Sequence, residues 1–186
     1  MNRICARDAR RQVGGGAMTP PRGDRFVRMT RHHATQQFTV RAATPDDAEA
    51  IVALIDLNVP SGELLPRTRD FVQLHADHFL VAERDGAIIG CVHLDEYAPS
   101  LAEVRSLAVD PKAQGMGVGV ALVAALEKLA RVRGYATLFA VSNSGEFFRR
   151  RGYDERHIPE LDRERSSVSK YKGVHAKDLL GRPARH

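Results

Sequence analysis

The alternation of apolar and polar positions predicts a first strand at residues 38–43, FTVRAA. TPDDAEAIVALIDLN follows, with Thr44 as helix N-cap, Pro45 at the first helical position and acidic residues in the first turn. Ala48, Ile51, Val52, Leu54 and Ile55 recur at the spacing of one helix face. VPSGELLP breaks that pattern, and a short helix is expected near Arg67–His75. HFLVAERDGAIIGCVHLDEY reads as two strands around Asp85-Gly86, a strong hairpin signal. LAEVRSLAVD is a third consecutive strand, ended by Pro111. Residues 117–133 form the longest helix, with Gly134 in a C-cap role. ATLFAVS is a buried strand, GEFFRRRGY a short helix ended by Gly152, and VHAKDLL a last strand. Strands in succession, then helix, strand, helix and strand, predict a mixed α/β sheet with helices on both faces.

Charge changes this picture little. The formal net charge of +5 is concentrated at the N-terminus, where residues 1–37 hold eight Arg and two Asp. The rest of the chain keeps 20 of the 28 Lys and Arg and 21 of the 23 Asp and Glu. No basic folded face is therefore expected, and nucleic acid is not an expected partner. Residues 1–37 show no periodicity and collect Gly, Pro and Arg, so they read as a disordered tail ahead of one domain at 38–186. The tail has no signal-peptide apolar stretch and no Ser of a transit peptide, and Met18 and Met29 are alternative starts. No apolar run is long enough to cross a bilayer, so no membrane partner is expected and the localisation read here is cytoplasmic. Cys5 and Cys91 are too few for a disulfide framework or a zinc site. His75 and His78 lack a third ligand, so no metal is expected.

The informative stretch is LAVDPKAQGMGVGVALVAAL, residues 107–126, where Gly115, Gly117 and Gly119 separate a strand from a helix. Glycines let backbone N–H groups approach a ligand closely, and the helix start adds a positive dipole end. That combination is a phosphate or pyrophosphate cradle. No Lys-Ser or Lys-Thr follows, which excludes a P-loop, and the spacing does not fit the dinucleotide fingerprint. What remains is Q-x-x-G-x-G, at Gln114, Gly117 and Gly119. This resembles the acetyl-CoA signature of the GCN5-related N-acetyltransferases (GNAT). RAATPDDAEAI is similar to that family's opening strand and helix, and EFFRRRGY to its closing element.

The resemblance implies a mostly antiparallel sheet that splays between two central parallel strands. The pantetheine arm of acetyl-CoA would pair with the main chain of Leu107 and Val109, in the segment Leu107, Ala108, Val109. Gln114 and the N–H groups of Gly115, Met116, Gly117, Val118, Gly119 and Val120 would hold the pyrophosphate. Lys112 or one of Arg149–Arg151 would meet the 3′-phosphate, unless those arginines are only a solvated helix face. Family chemistry is direct attack of an amine on the thioester, with the strand N–H near Leu107 as oxyanion donor. Glu103 is the candidate base, four residues before Leu107 and so expected on the same strand face. Phe148 stands where many members carry a Tyr that protonates the thiolate, which leaves water or Tyr171 for that step.

GELLPRTRDF, FLVAERDGAIIGCVHL, LAEVRSLAVDP, LFAVSNSGEFFRRRGY and VHAKDLL, in that order, resemble the acetyltransferase domain of N-acetylglutamate synthases. That implies a substrate carboxylate held at Leu65 and Arg67, and a Ser106 carbonyl facing the amine. Lys170 and Lys172 stand where those enzymes have Arg and Ser, and Ser166 and Ser167 where they have Tyr and Asn. The function implied is acetylation of an amino acid's α-amine, glutamate first, in arginine synthesis. The partner expected is a small-molecule amino-acid substrate, with a homodimer left open. Alternatives are another amine, such as glutamine, a polyamine, a drug or a protein N-terminus, and a non-catalytic acyl-CoA sensor.

Overall fold

The computed structural model describes residues 38–163 and 172–180; the tail 1–37, together with Ser166, Ser167, Lys170 and Tyr171, lies outside the described residues. Seven strands form one sheet: β1 (Thr39–Ala42), β2 (Phe79–Arg84), β3 (Ala87–Ala98), β4 (Leu101–Val109), β5 (Thr137–Ser142), β6 (Asp154–Glu155) and β7 (Gly173–Asp178). Their spatial order is β1-β2-β3-β4-β5-β7-β6. Among the described strands only β4 and β5 run parallel, and they pair over just three positions, Leu101–Glu103 against Thr137–Phe139. Beyond Glu103 the two strands part. The sheet is mixed, as the strand and helix order predicted, and splayed, as the family resemblance implied.

Helices α1 (Ala48–Asn58) and α2 (Arg69–Leu74) cover one face, through Ile51, Leu54, Ile55 and Val72 against Phe79, Val81 and Cys91. Helix α3 (Val118–Val132) covers the other, through Leu122, Val123 and Leu126 against Val92, Leu94 and Leu138. Gly90 permits that approach, since a Cβ there would lie 2.6 Å from Val118 Cγ1 and 2.9 Å from Leu122 Cδ1. Helix α4 (Gly145–Arg149) adds Phe148 to the α3 side. Among the described residues, no helix is long and apolar enough to cross a membrane.

Local rules explain the element ends. Asp85 and Gly86 both take positive φ, 52° and 77°, as the two-residue hairpin turn requires. Thr44 starts the first helical segment as expected, but its first turn, Pro45–Asp47, is 3₁₀. There Asp47 accepts from the Thr44 N–H at 2.8 Å and from the Arg41 guanidinium at 2.7 and 2.9 Å. These bonds turn the carboxylate back toward β1. Glu127 is a buried charge on the core side of α3, and Lys177 of β7 donates to both its oxygens at 2.9 Å. Removing Lys177 leaves Glu127 the longer contact with Arg131 at 3.5 Å, and removing Glu127 leaves Lys177 the Arg151 carbonyl at 2.8 Å. The loss thus falls toward the lower end of the range for a broken buried pair, about 3–5 kcal/mol. Lys177→Met should therefore lower the melting temperature sharply while Lys177→Met/Glu127→Leu recovers much of it, as thermal unfolding would record.

One strand feature reverses an expectation. β4 carries a bulge: Cys91 faces Ala108 and His93 faces Arg105, so two residues, Ser106 and Leu107, oppose one. Ser106 sits at φ 49°, in left-handed space that few non-glycine residues adopt. Ala102 and Val104 pack toward α3, whereas beyond the bulge Ala108 packs toward α1, and Leu107 and Val109 toward α3. Glu103 and Leu107 thus lie on opposite faces, not on the same one as strict two-residue alternation predicts.

Candidate active site

Where β4 and β5 separate, a cavity of about 840 Å³ opens between the α1–α2 connection and the N-terminal end of α3. Glu103, Ser106, Leu107, Val109, Gln114 and Gly119 line it. Leu65, Arg67 and Lys172 reach it from outside β4. The bulge divides the walls. Glu103 and Arg105 face the α1–α2 side with Arg67, whereas Leu107, Val109 and Gly119 face α3.

Of the other expected residues, Ala108, Gly115, Met116, Gly117, Val118 and Val120 are not among those lining the cavity. Ala108 is buried against α1, and Val118 is buried beneath α3. Gly115 and Gly117 hold φ of 82° and 83°, which bends the chain into α3 with Gly117 as its N-cap. No side chain caps that end, so the N–H groups of Val118, Gly119 and Val120 point out of the helix without an intrahelical acceptor. Met116 accepts from Arg84 Nη1 at 3.4 Å, which places beside the loop a cation 32 residues away in the chain. Lys170 lies outside the described residues.

The charges that line the cavity, Glu63, Arg67, Glu103, Arg105 and Lys172, are all partly buried. Glu103 has only 13% of its side chain exposed. Burial pushes its carboxyl up to about 7, against the pull of Arg105 and Arg67. Arg105 Nη1 donates to Asp95 at 2.6 Å while its Nε stands 3.7 Å from Glu103. The Arg67 guanidinium stands 5.4 Å from the Phe71 ring centroid, and its Nε is buried with no hydrogen-bond partner. Burial and the neighbouring Arg105 lower its proton affinity. Ser106 Oγ is a second buried atom without a partner, and the Ser106 carbonyl accepts from the Cys91 thiol at 3.5 Å.

Lys172 has a different setting from the one implied by the resemblance. Its Nζ donates to the carbonyls of Gly62 and Glu63 at 2.9 and 3.1 Å and lies 3.8 Å from the Glu63 carboxylate. Phe148, at the position of the family's Tyr, lines the cavity and offers no hydroxyl. Of the candidate 3′-phosphate groups, Arg149 and Arg150 pair with Glu146 on the surface, and Arg151 lies 3.5 Å over the Phe147 ring. Sequence reasoning passed over Arg105, Glu63, Ser142 and Phe147. Arg105 shares a face with Glu103 and was open to period-two counting; Glu63 and Ser142 are 79 residues apart and carried no local signal.

Comparison with known proteins agrees with this geometry. Residues 47–153 match the model of the acetyltransferase (GNAT) family. An amino-acid acetyltransferase of Neisseria meningitidis is 37% identical over 131 residues, 68% of this chain and 30% of that protein. The chain thus spans under a third of that relative's length. N-acetylglutamate synthase from Neisseria gonorrhoeae, complexed with coenzyme A and N-acetyl-glutamate, superposes with a TM-score of 0.70 at 32% identity. That match covers 77% of this chain and 35% of the other. Rv2747 from Mycobacterium tuberculosis, in complex with CoA and the ligand NLQ, gives 0.68 at 28% identity, over 76% of this chain and 99% of that one. With the family model matched over more than half its length, and the splayed strands and glycine-opened helix in place, the chain belongs to the acetyltransferase (GNAT) family.

Proposed function

We propose that the protein transfers an acetyl group from acetyl-CoA to the α-amine of an amino acid, with glutamate as first candidate. The observation that carries this reading is a shared cavity: a buried carboxylate near neutrality, Glu103, and a glycine-opened helix N-terminus face the same gap between parted strands. The residues suit the cofactor. The β4 edge beyond Glu103 has no ladder partner on β5, and Gly119 lines the cavity without a side chain, so bare backbone faces the gap there. Leu107 and Val109 would pair with the pantetheine arm, and Gln114 with the N–H groups of Gly115 to Val120 would take the pyrophosphate.

Acetyl-CoA supplies an acyl group activated for direct attack by the amine. Glu103 accepts the ammonium proton, directly or through a water, as a base whose affinity is matched to neutral pH. The Leu107 N–H donates to the developing oxyanion, and such a donor is worth about 3 kcal/mol. The Ser106 carbonyl keeps one lone pair for the amine, beside its contact with Cys91. A thiolate leaves a tetrahedral intermediate far more readily than an alkoxide, so a proton from water suffices where Phe148 has no hydroxyl. Residues 38–186 are taken as the catalytic domain, acting in the cytoplasm.

A second reading has its own support. Lys172 is already engaged by loop carbonyls, so the side chain of the acceptor meets less positive charge than a second carboxylate requires. Glutamine, which needs one carboxylate partner only, then competes with glutamate. Thiol release from acetyl-CoA against a panel of free amino acids tests both, and no release with any of them would overturn the function.

Gly117→Val supplies a separate check on the cradle. A β-branched residue at φ 83° is strained by about 1–2 kcal/mol, so the loop relaxes away from its bend. Acetyl-CoA affinity should fall about tenfold in titration calorimetry while the melting temperature drops by only a few degrees. Unchanged affinity would remove the loop from the site.

A further inference from the structure

We infer that Glu63 and Lys172 form a latch that closes the α1–α2 loop across the cavity and thereby positions Arg67. This rests on the amino-acid acetyltransferase reading for its kinetic consequence, but the latch itself is a matter of geometry.

The problem that the latch solves is set by the sheet. After Glu103 no ladder bond joins β4 to β5, so nothing in the sheet fixes the separation of their far ends. The α1–α2 connection bridges that gap. On the β4 side, Asn58 Nδ2 donates to Leu54 O at 2.9 Å and lies 3.5 Å from Val109 O. Ser61 Oγ donates to Asn58 O at 2.7 Å, and Gly62, at φ 76°, reverses the chain. This turn leaves the Glu63 carboxylate and the carbonyls of Gly62 and Glu63 all within reach of one ammonium, that of Lys172.

On the far side, Glu63 Oε2 accepts from Ser142 Oγ and from the Asn143 N–H, each at 3.3 Å, at the C-terminal end of β5. Lys172, just before β7, donates to the Gly62 and Glu63 carbonyls and neutralises the Glu63 carboxylate at 3.8 Å. The α1–α2 loop is thus tied by one carboxylate and one ammonium to the β5–β7 edge, where Ser142 already pairs with Gly173. Both charges sit partly out of water, where charge-assisted hydrogen bonds are stronger than on an open surface.

Arg67 lies four residues beyond Glu63, between the latch and the Thr68 cap of α2, whose Oγ1 accepts from the Phe71 N–H at 3.2 Å. Its other recorded support is the loose contact with Phe71, and its Nε has no partner. The guanidinium is therefore placed by the two ends of its loop. Lys172 acts on the substrate through that loop rather than by touching a carboxylate. Glu63 and Lys172 are positioning residues.

The test compares Glu63→Gln, Lys172→Met and the double variant with the parent, using glutamate and glutamine as acceptors. The latch predicts that each single change raises KM on the order of tenfold for both acceptors equally. The double change should add little to either, and KM for acetyl-CoA should stay put. A selective loss for glutamate in Lys172→Met would instead mean direct contact with the side-chain carboxylate, and would overturn the latch. Hydrogen–deuterium exchange of the ligand-free proteins reads the geometry without turnover. Peptides covering residues 59–68 and 142–145 should exchange faster in both single variants, and unchanged protection would also overturn it. A parent that acetylates no amino acid defeats the functional reading, while the exchange comparison still decides the latch.

Discussion

Glu103→Gln should lower kcat by about 10²–10⁴-fold at neutral pH, the span expected when a general base is removed. The substitution keeps shape and hydrogen-bonding capacity but cannot take a proton. The parent's kcat/KM should rise with pH through about 7, where the buried carboxyl ionises. The variant should lack that limb and recover part of its rate at high pH, where free amine is abundant. Stability should move the opposite way. Burial raises the folded-state value of Glu103 above its ordinary 4.5. The folded protein therefore holds this proton more tightly than the unfolded chain, and the stabilisation is complete below about 4.5. It fades as pH rises toward 7 and is absent above, a change of up to ~3 kcal/mol. Glu103→Gln stays neutral throughout. Its melting temperature should match the parent's at pH 4 and exceed it at pH 8. A variant with parental kcat across the pH range would reduce Glu103 to a cavity wall.

That pair of effects follows from where the chain puts the carboxylate, and only part of the placement is legible in the sequence. The hairpin at Asp85-Gly86 and the glycine entry to α3 are local: the residues that need positive φ are the residues present. The face assignments of α1 and α3 follow from helical period alone. The bulge at Ser106 and Leu107 is not local in that sense. Glu103 and Arg105 alternate correctly, and then Leu107, Ala108 and Val109 run apolar without a break. Counting by twos carries Glu103 onto the face of Leu107, while the structure reverses the face between them. The reversal is what puts Glu103 on the α1–α2 side and Leu107 and Val109 on the α3 side of one gap. Tertiary pairings were beyond reach for another reason. Lys172 reads as a carboxylate ligand when matched to a motif, but the carbonyls that hold it lie about 110 residues earlier.

Arg67→Ala should lower kcat/KM for glutamate by about 30-fold or more, mainly through KM. A carboxylate entering a closed gap loses water and needs a charged partner, and the Arg fork can meet it with two parallel bonds. Arg67 is prepared for this. It lines the cavity half-buried, its Nε is unpartnered, and Arg105, the other guanidinium of this wall, is committed to Asp95 at 2.6 Å. Removing one side of a desolvated charge pair typically costs about 2–5 kcal/mol, and a contact that persists into the transition state appears in KM. Arg67→Lys should fall between parent and alanine, because it keeps the charge and loses the fork. A merely structural arginine behaves differently. Here the free protein has an unsatisfied buried Nε and a like charge nearby, so Arg67→Ala should leave the melting temperature unchanged or slightly raised. Acetyl-CoA affinity should not respond, since Leu107 and the glycine loop lie on the other side of the bulge. If Arg67→Ala turns over glutamate as well as the parent does, the carboxylate is held elsewhere. If the parent prefers amines that lack a carboxylate, the amino-acid assignment itself fails, and the family's acetyl transfer must be sought on a different acceptor.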